Sequence, residues 1–124
     1  MMLRIVGIRK GDNAEEEFVL LQNQGGLKLN LRGHVLLGEQ ALEHADVADF
    51  FHLFTDDVSI GPGHFVLLYT GSGIAKWART KEQQLVYYTF MGRYGSVWER
   101  TSGALHVLCP QHSYQDRRDA VLLR

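Results

Sequence analysis

Six histidines, a single cysteine and a scatter of acids are the side chains of this chain with the chemistry to hold a metal or move a proton. His44, Asp46, Asp49 and His52 stand close together in sequence. Metal-ligand pairs sit three or four residues apart on a helix, or two apart on a strand. His44 and His52 fit neither spacing. Cys109 lies far from them in an apolar run and reads as an inert thiol in the core. One cysteine builds neither an internal disulfide framework nor a cysteine-based zinc knuckle. No metal ligand and no cofactor is therefore assigned. Serine, histidine and aspartate are all present, yet Gly71-Ser72-Gly73 lacks the outer glycines of a nucleophile elbow and leads from a strand into a loop. The same triplet lacks the third glycine and the βαβ setting of a dinucleotide fingerprint. No catalytic residue is assigned and the chain is read as not an enzyme. A small hydrolase or metal-binding domain stands last among the alternatives.

Phosphate and base recognition has a better foothold. Lys76, Trp77, Arg79 and Lys81 fall in residues 75–84, and Arg93 and Tyr94 in residues 92–96. Cations hold phosphates and aromatic rings stack on bases. Glu82 and Glu99 dilute that charge. The whole chain has 13 basic and 14 acidic residues, a formal net charge of −1, so no bulk field favours an anionic partner. The competing reading is two solvated loops, with Trp77 folded back as a lid.

These loops need a scaffold, and the pattern predicts strands. Leu3, Ile5 and Ile8 suggest a first strand with a bulge at Gly7. Gly11-Asp12-Asn13 is a turn, and Glu15, Glu16 and Glu17 read as a solvated strand edge. Residues 18–21 form a bulky apolar strand that Asn23, Gln24, Gly25 and Gly26 end. Leu27, Leu29 and Leu31 alternate with polar residues, which predicts a strand with one wet face. Gly33 breaks it, and residues 35–37 begin another strand. Ala41, Leu42, Ala45 and Ala48 recur near helical spacing, predicting one short helix near residues 41–48 that caps the core. Residues 50–54 read as an aromatic strand and residues 64–70 as the strand placed mid-sheet. A loop from Gly71 to about Gln84 then leads to a strand over residues 85–90. A final hairpin joins residues 97–100 and 104–109 around Thr101-Ser102-Gly103, and Pro110 ends it.

Strands this short, punctuated by glycine, have the spacing of an all-β sandwich. The order of elements resembles the lamin-tail domain family: an apolar strand ending in Asn23, a glycine turn, alternating leucines into Gly33, then the turn over residues 60–66. The strand and its glycine-rich loop over residues 66–73 and the last strands over residues 85–108 continue the likeness. The resemblance implies an immunoglobulin-like β-sandwich, here as a stand-alone copy without the coiled-coil rod of the lamins. It also implies an interaction module in place of a catalyst.

At 124 residues the chain has the size of one domain, with residues 111–124 as an extension that packs on a sheet edge or on a neighbour. No stretch reaches the roughly 20 apolar residues of a membrane helix, and residues 1–10 do not make a signal peptide. A cytoplasmic location is expected. Surplus apolar bulk singles out Phe18, Leu20 and Phe51, because a sandwich strand normally alternates with polar residues outward. Together with Lys76, Trp77, Arg79, Arg93 and Tyr94 they are the candidate partner-binding residues. The expected partner is a protein or a second copy of the chain. Nucleic acid is the alternative, and neither a membrane nor a small-molecule substrate is expected.

Overall fold

The computed structural model describes residues 3–44, 49–101 and 103–110. The elements are β1 (Leu3–Arg9), β2 (Phe18–Asn23), β3 (Leu29–Asn30), β4 (Val35–Gly38), α1 (Glu39–His44), β5 (Phe51–Leu53), β6 (Ser59–Ile60), β7 (Phe65–Tyr69), β8 (Lys76–Arg79), β9 (Leu85–Phe90) and β10 (Leu105–Leu108). Among the described residues the chain is all-β with one short α-helix, as its alternation, glycine punctuation and Ala/Leu spacing predict. Residues 45–48, over which the helix was expected to continue, lie outside the described residues, as does the extension at 111–124.

A large sheet runs β1-β2-β7-β9-β8, a small sheet runs β10-β4-β5, and β3 pairs with β6. All pairings are antiparallel except β7 with β9, which run parallel. The most apolar strand, β7, sits mid-sheet as expected, flanked by β2 and β9. Between the sheets lie Leu3, Val19, Leu21, Val66, Leu68 and Tyr87 from the large one and Leu36 from the small one. Leu31, Phe54, Ile60, Val97 and Trp98 fill the remainder. Burying such side chains contributes about 1.5–3 kcal/mol each, so this layer is the main source of stability.

Four local expectations are corrected. The edge of β1 does carry a bulge, but the extra residue is Val6: Ile5 faces Leu21 and Gly7 faces Leu20. The leucine alternation yields only the two-residue β3, with Leu31 buried and Leu27 exposed. The loop after Gly71 contains a strand, β8, which pairs with β9 through Trp77 and Tyr87. Finally, residues 98–100 form a 3₁₀ turn and not the first strand of a hairpin.

The reason for the last correction is Glu17. Glu15 and Glu16 are exposed, as a solvated edge requires, but Glu17 is fully buried. Its Oε1 accepts hydrogen bonds from Thr70 Oγ1 at 2.7 Å and from the main-chain N–H groups of Val97 and Trp98 at 2.8 Å. Its Oε2 accepts from the Glu99 N–H at 2.8 Å. A carboxylate that gathers three successive amides curls them into a turn, where a strand would splay them apart. Burial raises the Glu17 pKa, but the bonds from Trp98, Thr70, Val97 and Glu99 outweigh it and hold the group below its ordinary value. The apolar layer thus carries one satisfied buried charge that ties β2 to the far end of the chain.

Candidate functional site

The register settles which residues share the outer face of the large sheet. Val19, Leu21, Val66, Leu68 and Tyr87 face the core, so the alternate positions face away from it. Leu20 pairs with Leu67 and Leu67 with Tyr88; Phe18 pairs with Tyr69 and Tyr69 with Phe90. All six are half-buried, in a row where a sandwich usually places polar groups. Gly7 stands opposite Leu20 and has no side chain to cover it. Among the described residues α1 packs on β4 of the small sheet, so the helix belongs to the opposite layer.

The rings of this face are fastened to one another. Phe18 meets Tyr69 edge-on with centroids 5.6 Å apart. Tyr69 stacks on Phe90 at 5.8 Å and on Tyr88 at 6.4 Å. The Lys76 ammonium lies over the Tyr88 ring, 5.3 Å from its centroid. Ring faces engaged in this way are less open to stacked bases, whereas an apolar wall with fixed rings suits a packed protein interface. At one end of the row a hollow of about 260 Å³ is lined by Glu15, Tyr69, Gly71, Ser72 and Phe90. By register Arg4 and Arg9 on β1 and Lys76 on β8 border the same face.

The candidate residues therefore separate into groups. Phe18, Leu20 and Lys76 meet on the outer face. Lys76 and Arg79 sit on alternate positions of β8, so they take opposite faces and do not form one cationic patch. Arg79 donates instead to the Gln83 carbonyl at 3.0 Å within its own hairpin. Tyr94 is fully exposed at a loop tip.

Trp77, Phe51 and Arg93 gather at the rim between the sheets. Trp77 leans on Tyr87 with ring centroids 5.2 Å apart, the lid-like placement weighed from sequence. The Arg93 guanidinium donates to the Phe51 carbonyl at 3.3 Å. Beside them Asp56 accepts from Tyr87 Oη and from Thr89 Oγ1, both at 2.9 Å. Burial, the bond to Asp56 and the charge of Asp56 push the Tyr87 phenol up to about 12. His52 packs edge-on against Phe54 at 4.8 Å, and its Nε2 has no hydrogen-bond partner among the described residues. Burial, aided by the Arg93 charge and opposed by Asp56, pulls the His52 pKa down to about 4, so the ring is neutral at pH 7.

This rim cluster was not singled out from sequence as a unit, because it is assembled from β5, β9 and two loops. Its acid already accepts from a phenol and a hydroxyl on one oxygen, Oδ2. Among the described residues no histidine hydrogen-bonds a serine or threonine hydroxyl, the first step of a nucleophilic relay. The arrangement closes the sandwich end with a hydrogen-bonded tyrosine, threonine and arginine beside a neutral histidine. Among the described residues there is no group of three or more His, Cys, Asp or Glu arranged to hold a metal ion. Asp46, one member of the acid and histidine group weighed above, lies outside them, as does the side chain of His44. No described helix is long and apolar enough to cross a membrane. No protein-family model matches the chain, and no curated protein matches it.

Proposed function

We propose that this chain is a non-catalytic binding module, an immunoglobulin-like sandwich of lamin-tail type, that docks a protein on the outer face of its large sheet. The observation that carries the reading is the row of Phe18, Leu20, Leu67, Tyr69, Tyr88 and Phe90, half-buried and contiguous across three adjacent strands. Contiguous apolar surface of this kind marks interaction sites, and interface centres favour tyrosine and phenylalanine over charged residues. The cations at the border, Arg4, Arg9 and Lys76, supply the polar rim that such interfaces carry. We place the module in the cytoplasm, where a lone thiol such as Cys109 persists unpaired.

Radical footprinting tests the reading. The chain is labelled inside the cells that make it and, separately, after purification at low concentration. Tyr69, Tyr88 and Phe90 should be protected in cells and labelled once purified, while Tyr94 is labelled equally in both. Equal labelling of the outer-face rings in the two samples would refute docking on this face.

A further inference from the structure

The large sheet ends in β1 and the small sheet ends in β10, and these two edge strands lie beside one another. Between them runs a cleft of about 380 Å³ lined by Leu3, Arg4, Ile5, Leu105, His106, Val107 and Leu108, with every lining residue from one of the two strands. At one end they nearly touch, with Cys109 Sγ 3.9 Å from the Leu3 carbonyl.

Strand parity fixes where the backbone groups of each edge point. The main chain of Asn23 bonds to His64 and Gly63 beside β7, so Asn23 and Leu21 direct their groups to β7 and Gln22 directs its groups to β1. Arg4, opposite Gln22, is therefore the bonded partner, and Leu3 and Ile5 direct N–H and C=O into the cleft. On the other side the Gly38 N–H bonds to Phe50 O, so Gly38 and Leu36 direct their groups to β5. Leu37 then bonds to His106, and Leu105 and Val107 direct their groups into the same cleft. Among the described residues neither edge is paired further. Four consecutive residues without lysine, arginine, carboxylate, proline or bulge, such as Leu105–Leu108, leave an unguarded edge, unlike β1 with its bulge and two arginines.

We infer that the open edge of β10 beside this cleft takes an extended segment of a partner protein, which adds a strand to β10. Another extended backbone matches such a row of strand donors and acceptors group for group, and pockets for alternate side chains then set the sequence. Ile5, Leu105 and Val107 are part-buried against the core, so the segment's inward side chains are apolar. Arg4, exposed on the outer side of the rim, faces no acid in the cleft lining, whereas His106 is held 2.6 Å from Glu39. The segment therefore carries an acidic residue on its outward side, opposite Arg4. This surface shares Arg4 with the border of the outer face but uses the backbone edge of β10, and it stands or falls independently of docking on that face.

The probe is a displayed library of random peptides selected against the purified full-length chain, followed by synthesis of the enriched sequence. Enriched peptides should alternate apolar residues, with one acid at an outward position, and shift the amide resonances of Leu3, Ile5, Leu105 and Val107. N-methylating the peptide amides that face β10 should weaken binding roughly tenfold or more, the loss of one or two hydrogen bonds. Arg4→Glu should weaken the acidic peptide and restore binding when its acid is replaced by lysine, which a merely unfolded variant does not do. Leu67→Lys on the outer face should leave peptide binding unchanged. No enrichment, binding that survives N-methylation, or resonance shifts confined to the outer face would overturn the assignment. So would concentration-dependent self-association that shifts the same amides with no peptide added, which gives the cleft to a second copy.

Discussion

Removing the Glu17 carboxylate should cost this fold more than any single surface change. In Glu17→Ala the amides of Val97 and Trp98 stay buried without an acceptor, and those of Glu99 and Thr70 Oγ1 lose theirs. Each unsatisfied buried donor costs about 1–3 kcal/mol, so two fully buried amides alone give roughly 4 kcal/mol. Against a total stability of about 5–15 kcal/mol that is a large fraction. Glu17→Gln keeps one acceptor oxygen but turns its amide toward the Glu99 N–H and gives up the charge. Charge-assisted bonds are roughly twice as strong as neutral ones, which sets the cost near about 2 kcal/mol. Urea unfolding followed by far-ultraviolet circular dichroism and by tryptophan emission reports both, because Trp98 is fully buried at the site. The pH dependence supplies an independent check. The Glu17 pKa is lowered in the fold, so its contribution is complete above its ordinary value of 4.5 and is lost as pH falls through the folded value. Glu17→Gln should remove that part of the acid slope. A Glu17→Ala cost below about 1 kcal/mol would refute the account of the 3₁₀ turn as a carboxylate-held element.

Three further outcomes follow from the same structure. His52 is pulled from 6.5 to about 4, so folding is favoured while the ring is neutral, and stability should fall as pH drops from about 6.5 toward 4. The gap sets an upper limit of roughly 3 kcal/mol, read as the pH-dependent difference in melting between wild type and His52→Gln, and equal slopes would contradict it. Asn23→Ala strips Nδ2 from the Leu27 and Ile60 carbonyls and Oδ1 from the Gly25 N–H, and should cost about 2–4 kcal/mol in urea unfolding. Gly73→Ala places a Cβ 2.5 Å from the Phe90 ring, which must move and so disturb its stacking on Tyr69, and the Tyr69 and Phe90 ring resonances should shift while the inner core resonances hold.

The sheets were legible because alternation is a local signal. Val19 and Leu21, or Val66 and Leu68, announce a buried face within a few residues, and β7 is the central strand because both its faces are apolar. What local pattern does not carry is partnership across the chain. Glu17 looks like its neighbours Glu15 and Glu16 until Trp98, 81 residues on, is brought beside it. The strand β8 hides in a polar segment because its support comes from pairing with β9, not from its own apolar content. The outer-face row was half legible: Phe18 and Leu20 stood out as surplus bulk, but Leu67, Tyr69, Tyr88 and Phe90 joined them only once register aligned the three strands. Lys76 and Arg79 looked like one basic cluster until β8 set them on opposite faces.

The central claim is that the outer face of the large sheet meets a protein, and a photo-crosslinking residue at Leu67 tests it most directly. Leu67 lies mid-row, between Leu20 and Tyr88. Irradiated in the cells that produce the chain, position 67 should yield a discrete protein adduct, whether a second copy or another polypeptide. The exposed position Lys28 should yield none. Adducts at both positions alike, a nucleic-acid adduct at 67, or no adduct there at all would contradict the account.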